Sequence, residues 1–150
     1  MRSRPVLLTV IVLGLVFAAR LWAQPAWVQP PGKTGLGFQG YWMGIDPLDG
    51  GDSRRSLVQL DNGMFALAGR DTALTLCDGT ERGFISFADG EVVEKNVLQS
   101  NRMIIACSNT DAVVILRVRY DLAGNGVMIE NTTLDGTPVT RIVFHKVSHD

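Results

Sequence analysis

From Gln39 onward the chain alternates apolar and polar positions in short runs, and each run ends at a corner rich in Asp, Asn or Gly. The runs lie at 39–45, 54–60, 64–69, 73–77, 83–88, 91–98, 102–107, 112–121, 126–133 and 138–147. The corners between them include Asp49-Gly50-Gly51, Asp61-Asn62-Gly63, Asp78-Gly79, Asp89-Gly90, Gly124-Asn125-Gly126 and Asp135-Gly136. Asp, Asn and Gly supply turn conformations that other residues resist. Period-two alternation between such corners predicts β-strands, and many short strands predict an all-β domain.

The alternation also assigns faces. Ala112, Val114, Leu116, Val118, Tyr120 and Leu122 share one side of their run, a core face. Val113, Ile115, Arg117, Arg119 and Asp121 share the other, which turns polar halfway along. In the final run Val139, Arg141, Val143, His145 and Val147 oppose Thr140, Ile142, Phe144 and Lys146. Residues 103–107 are apolar on both sides, as in a strand covered on both faces. The expected architecture is a small antiparallel up-and-down barrel of about eight to ten strands over 38–150, with a sandwich or a mixed α+β fold as alternatives.

The first residues carry a different pattern. Arg2 and Arg4 precede an almost wholly apolar stretch from Pro5 to Ala19, and Leu21-Trp22-Ala23 offers a cleavage site before Gln24. That layout predicts a secretory signal peptide over 1–23. The competing reading is an uncleaved anchor, but Arg20 interrupts the run short of the roughly 20 apolar residues a spanning helix needs. Residues 24–37 are rich in Pro and Gly and read as an extended lead-in. The expected location is secreted or periplasmic, with no transmembrane helix in the mature chain.

Removing 1–23 leaves 11 basic against 15 acidic residues, a net charge of −4. Nucleic acid and anionic membranes need a basic face and are not expected partners. Cys77 and Cys107 are the two cysteines, and an even pair in an exported chain predicts a disulfide.

Gly40-Tyr41-Trp42 opens the first run as G-x-W, and Arg141 sits in the last. This arrangement resembles lipocalins and related calycin barrels, whose G-x-W tryptophan packs under an arginine of the final strand. The resemblance implies a structural role for Gly40, Trp42 and Arg141. The family's middle T-D-Y motif is missing, and Arg119-Tyr120-Asp121 does not replace it. The phrases over 45–51 and 76–79 also resemble uncharacterised secreted bacterial proteins, which implies no activity.

Candidate chemistry is sparse. Asp46, Asp49 and Asp52 share one Gly-containing loop and form a candidate calcium site, although their spacing departs from the EF-hand pattern. The bland alternative is a turn in which each Asp caps its own backbone. Arg54 and Arg55 begin a strand as a candidate anion clamp or as edge charges that discourage aggregation. Arg117 and Arg119 are a second candidate contact pair, since they share a face. His145 and His149 are the two histidines, and no G-x-S-x-G, phosphate-binding Gly loop or H-E-x-x-H occurs. Asn131-Thr132-Thr133 fits a glycosylation sequon. No catalytic residue and no cofactor are expected. The leading functional expectation is an exported binding protein that holds a small apolar molecule in a barrel. The alternatives are an extracytoplasmic protein-interaction module, such as a hydrolase inhibitor or envelope subunit, and a carboxylate-based enzyme.

Overall fold

The alternating runs resolve into eight antiparallel strands: β1 (Gly40–Ile45), β2 (Asp52–Gln59), β3 (Phe65–Asp71), β4 (Gly83–Glu94), β5 (Val97–Cys107), β6 (Val113–Gly124), β7 (Val127–Leu134) and β8 (Thr137–Val147). The computed structural model describes residues 35–72, 77, 82–108, 110–124 and 126–147. The expected signal segment, the lead-in as far as residue 34, the run over 73–76 and His149 fall outside these residues. Each strand pairs with its predecessor, and β8 returns to β1, so the sheet closes as an up-and-down barrel. Closure leaves no unpaired edge.

Two of the expected corners behave differently from each other. Asp135-Gly136 forms a two-residue hairpin turn, with φ of 49° and 80°. Both residues sit in the left-handed region, where Asp and Gly are favoured. Asp89-Gly90 is not a turn. It lies inside β4, where Phe65 pairs with Gly90 and Leu67 with Phe87, leaving one extra residue on β4 as a bulge. β5 has its own extra residue between Ser100 and Met103. The Ser100 hydroxyl donates to Asp89 Oδ1 at 2.5 Å and also accepts the Arg102 N–H at 3.1 Å, pinning both irregularities. A Cβ at Gly90 would stand 2.6 Å from the Phe87 ring and 2.9 Å from the Phe65 carbonyl, so the bulge requires glycine. The reversal expected at 89–90 occurs instead at Lys95-Asn96, between β4 and β5.

One end of the barrel is plugged. A 3-10 helix at Leu36–Phe38 buries Phe38 completely, and Phe38 meets Phe65 edge to face at 6.2 Å. Trp42 Nε1 donates to the Phe38 carbonyl at 2.8 Å, fastening the plug to β1. Inward side chains fill the space above it, including Leu57, Leu67, Phe87, Leu98, Leu116 and Phe144. The interior is mainly apolar and the outer wall carries Arg54, Glu91, Glu94, Arg117 and Arg119, all exposed. A membrane-spanning barrel has the reverse arrangement.

At the opposite end Cys77 and Cys107 form a disulfide with Cα atoms 5.7 Å apart. It ties the β3–β4 connection to the last residue of β5 across a sequence separation of 30. Loop-closure entropy for that length corresponds to roughly 3–4 kcal/mol. Replacing both cysteines with Ala is therefore expected to lower unfolding free energy by about that amount. Urea titration of the oxidised protein and the double variant measures it.

Candidate functional site

The alternation that builds β2 points Ser53, Arg55 and Leu57 inward and Arg54 outward. Arg54 and Arg55 therefore belong to different sites and form no common clamp. Arg55 is 2% exposed, inside the barrel. Its Nε and Nη2 donate to Glu130 on β7 at 2.8 and 2.9 Å. Its Nη1 and Nη2 reach Asp71 on β3 at 2.7 and 3.3 Å. A further Nη1 bond to the Arg54 carbonyl, 3.0 Å, completes the five donors of the guanidinium. Its Cζ lies over the Phe144 ring, 5.0 Å from the ring centre. Arg55 pairs with Gly69 across the β2–β3 ladder, and a Cβ there would stand 2.9 Å from Arg55 Cδ. Gly69 leaves the room in which the arginine folds over β3.

The cluster extends to Tyr120 on β6, whose hydroxyl donates to Glu130 Oε2 at 2.5 Å. Burial, reinforced by the Glu130 charge, pushes the Tyr120 hydroxyl well above its ordinary range. Burial disfavours the charge on Arg55, but Glu130 and Asp71 outweigh it and hold the guanidinium well above its usual value. Asp71 is raised because loss of water exceeds the pull of Arg55. Asp46, 2% exposed at the end of β1, is also raised by burial, against the opposing bond from the Leu48 N–H. A cavity of about 10 Å³ adjoins Asp46, Arg55, Asp71 and Glu130, room for at most one water.

Asp71 and Glu130 bridge the same buried guanidinium, and among the described residues no histidine lines the cavity beside them. Chemically the cluster is a lock across β2, β3, β6 and β7.

Its titration has a definite sign. Asp46 and Asp71 hold protons more tightly in the folded than in the unfolded chain. The native state thus binds more protons, and stability falls as pH rises from about 4 through their folded values. Asp46→Asn keeps an oxygen for the Leu48 N–H and removes the charge. The variant is expected to melt higher than the wild type at pH 7 and to lose that advantage near pH 4. Paired melting curves across this range test it; an advantage that grows toward acid contradicts the assignment.

The remaining sequence-derived candidates are dispersed. Asp46 Oδ1 accepts the Leu48 N–H and Asp49 Oδ1 the Gly51 N–H, so both carboxylates cap their own loop, while the Asp52 N–H bonds Thr72 Oγ1. Among the described residues no group of three or more acidic, His or Cys side chains is arranged to hold a metal ion. Arg117 and Arg119 face outward, and Arg119 forms a fork with Asp121 at 2.8–3.1 Å. Trp42 is buried at the plugged end, but the cation over its ring is Lys146, 5.2 Å from the centroid. Arg141 is exposed on the other side of β8, paired in register with Asn131. Lys146 sits directly opposite Trp42 in the β1–β8 ladder, and its Nζ also donates to the Gly37 carbonyl at 3.3 Å.

The outer wall carries the features that alternation alone did not single out. Reading across the ladders, Met43, Arg54, Arg70, Phe84, Ala106 and Val113 form one outward row over β1 to β6. Tyr41, Ser56, Ala68, Ser86, Ile104 and Ile115 form the next. Phe84 and Tyr41 are 55% exposed, Val113 58% and Ile115 48%. A groove of about 640 Å³ runs over the β1–β4 part of these rows. Among the described residues no helix is long and apolar enough to cross a membrane, which with the disulfide is compatible with an extracytoplasmic protein. No protein-family model, curated protein or solved structure matches this chain, and its assignment rests on its own geometry, a closed eight-stranded barrel compatible with a calycin-like fold.

Proposed function

We propose that this protein is an exported, non-enzymatic binding module that engages another extracytoplasmic protein with the outer wall of its barrel, on the rows that cross β1 to β6. The observation that carries this reading is a contrast in volume and exposure. The interior holds a cavity of about 10 Å³, whereas Tyr41, Met43, Phe84, Val113 and Ile115 stand 41–58% exposed on one continuous stretch of wall. An apolar molecule inside the barrel would have to displace Phe65, Phe87 and the Arg55 cluster, all buried among one another. Exposed apolar groups set on either side of a charged pair suit a protein contact.

The test is positional. A photo-crosslinking phenylalanine analogue at Phe84, expressed with the full chain in its secreting host, is expected to yield one discrete adduct. The same analogue at Ile129 on β7, away from the rows, is expected to yield none. Equal adducts from both positions, or none from Phe84, would sink the reading.

A further inference from the structure

Arg54 and Arg70 stand directly opposite each other on the outer face of β2 and β3. Like charges at opposed positions weaken a sheet. Among the described residues the ion pairs are Arg55–Asp71, Arg55–Glu130 and Arg119–Asp121, so no described carboxylate neutralises either member of this pair. Asp52, two residues along the same face of β2, does not reach ion-pair distance. The row continues on both sides into apolar groups, Met43 beside Arg54 and Phe84 beside Arg70. Together with Tyr41 and Val147 these residues line the 640 Å³ groove.

From this juxtaposition we infer that Arg54 and Arg70 form an anion clamp that receives a carboxylate of an acidic, apolar segment on the protein partner. This inference rests on the outer-wall reading and adds the chemistry of the partner. Two guanidiniums side by side present paired N–H forks that match a carboxylate in plane. A carboxylate placed between them relieves their mutual repulsion, and its apolar neighbours along the segment cover Tyr41, Met43 and Phe84. A free small anion would use the clamp alone. The exposed apolar surface extends past the groove to Val113 and Ile115, a length suited to an extended protein segment.

Two dyes of the same shape separate charge from apolar contact: anilinonaphthalene sulfonate, which carries an anion, and neutral phenylnaphthylamine. The sulfonate dye is expected to bind the full-length mature protein more tightly. The double variant Arg54→Gln/Arg70→Gln should weaken it by about tenfold or more while leaving the neutral dye unchanged. Arg54→Lys/Arg70→Lys should restore part of the loss. A short peptide of alternating glutamate and leucine should displace the sulfonate dye; its glutamine counterpart and free acetate at equal concentration should not. Far-ultraviolet circular dichroism checks that both variants keep the barrel.

Equal binding of the two dyes, or a sulfonate affinity untouched by the glutamine variant, overturns the clamp and leaves the outer-wall reading in place. Displacement by acetate as effective as by the acidic peptide also overturns it, in favour of a free anion. If neither dye binds and Phe84→Glu changes nothing, the outer-wall reading falls as well. A wild-type dimer that Phe84→Glu separates would place a second copy on this surface and overturn the acidic partner.

Discussion

Arg55→Met is expected to lower the unfolding free energy by about 3–5 kcal/mol at pH 7. The loss does not come from an ion pair of great intrinsic strength. Taking three charges out of water is costly, and their attraction roughly offsets that cost. Removal of the cation leaves Asp71 and Glu130, each within 2% of full burial, facing each other without a partner. Protonation of Asp71 then removes one of the orphaned charges, so the deficit should shrink as pH falls toward 4. Replacing the whole cluster should behave differently. Arg55→Met combined with Asp71→Leu, Glu130→Leu and Tyr120→Phe leaves no orphaned polar group among the four positions. Its stability is expected within a few kcal/mol of the wild type, on either side. Urea titrations at pH 7 and pH 4 measure all three proteins. A single-variant loss under about 1 kcal/mol at pH 7 would mean that the three charges are solvated, against the geometry described.

Trp42→Ala is expected to cost about 3–5 kcal/mol. The ring is 1% exposed and makes three contributions at once. It fills the plugged end of the interior, holds the 3-10 helix through the Phe38 carbonyl, and lies under the Lys146 ammonium. Lys146→Met removes the last of these together with the Nζ bond to the Gly37 carbonyl, and is expected to cost about 0.5–2 kcal/mol. Guanidinium titration of the two variants separates the contributions. A loss under about 1 kcal/mol for Trp42→Ala would show that the plug closes without it.

The barrel was legible in the alternation because one buried face per strand imposes a period of two. The observed eight strands fall within the expected eight to ten, but the ten runs do not map onto them one to one. Asp-Gly is suited to turns and to bulges alike, and the choice at 89–90 is settled by Ser100, eleven residues away on β5. The cation over Trp42 shows the limit of a motif. Arg141 shares its side of β8 with Val143, while Lys146 shares the core side with Ile142 and Phe144. Phase along the strand, not the residue type, selects which cation reaches the ring. The same phase places Arg55 with Leu57 inside and Arg54 outside. What alternation does not contain is the meeting of Arg55 with Glu130 across a separation of 75, which only barrel closure brings about. The outer rows share this origin, since each is assembled from one residue per strand.

The seam between β1 and β8 sets Tyr41 beside Val147, so the barrel's first and last strands lie side by side. Every other ladder joins neighbours in sequence. The staves of this cask therefore have a cyclic order with no privileged starting stave. A circular permutant joined across that seam and opened at Lys95-Asn96 would reproduce the same eight pairings, with new termini at an exposed corner.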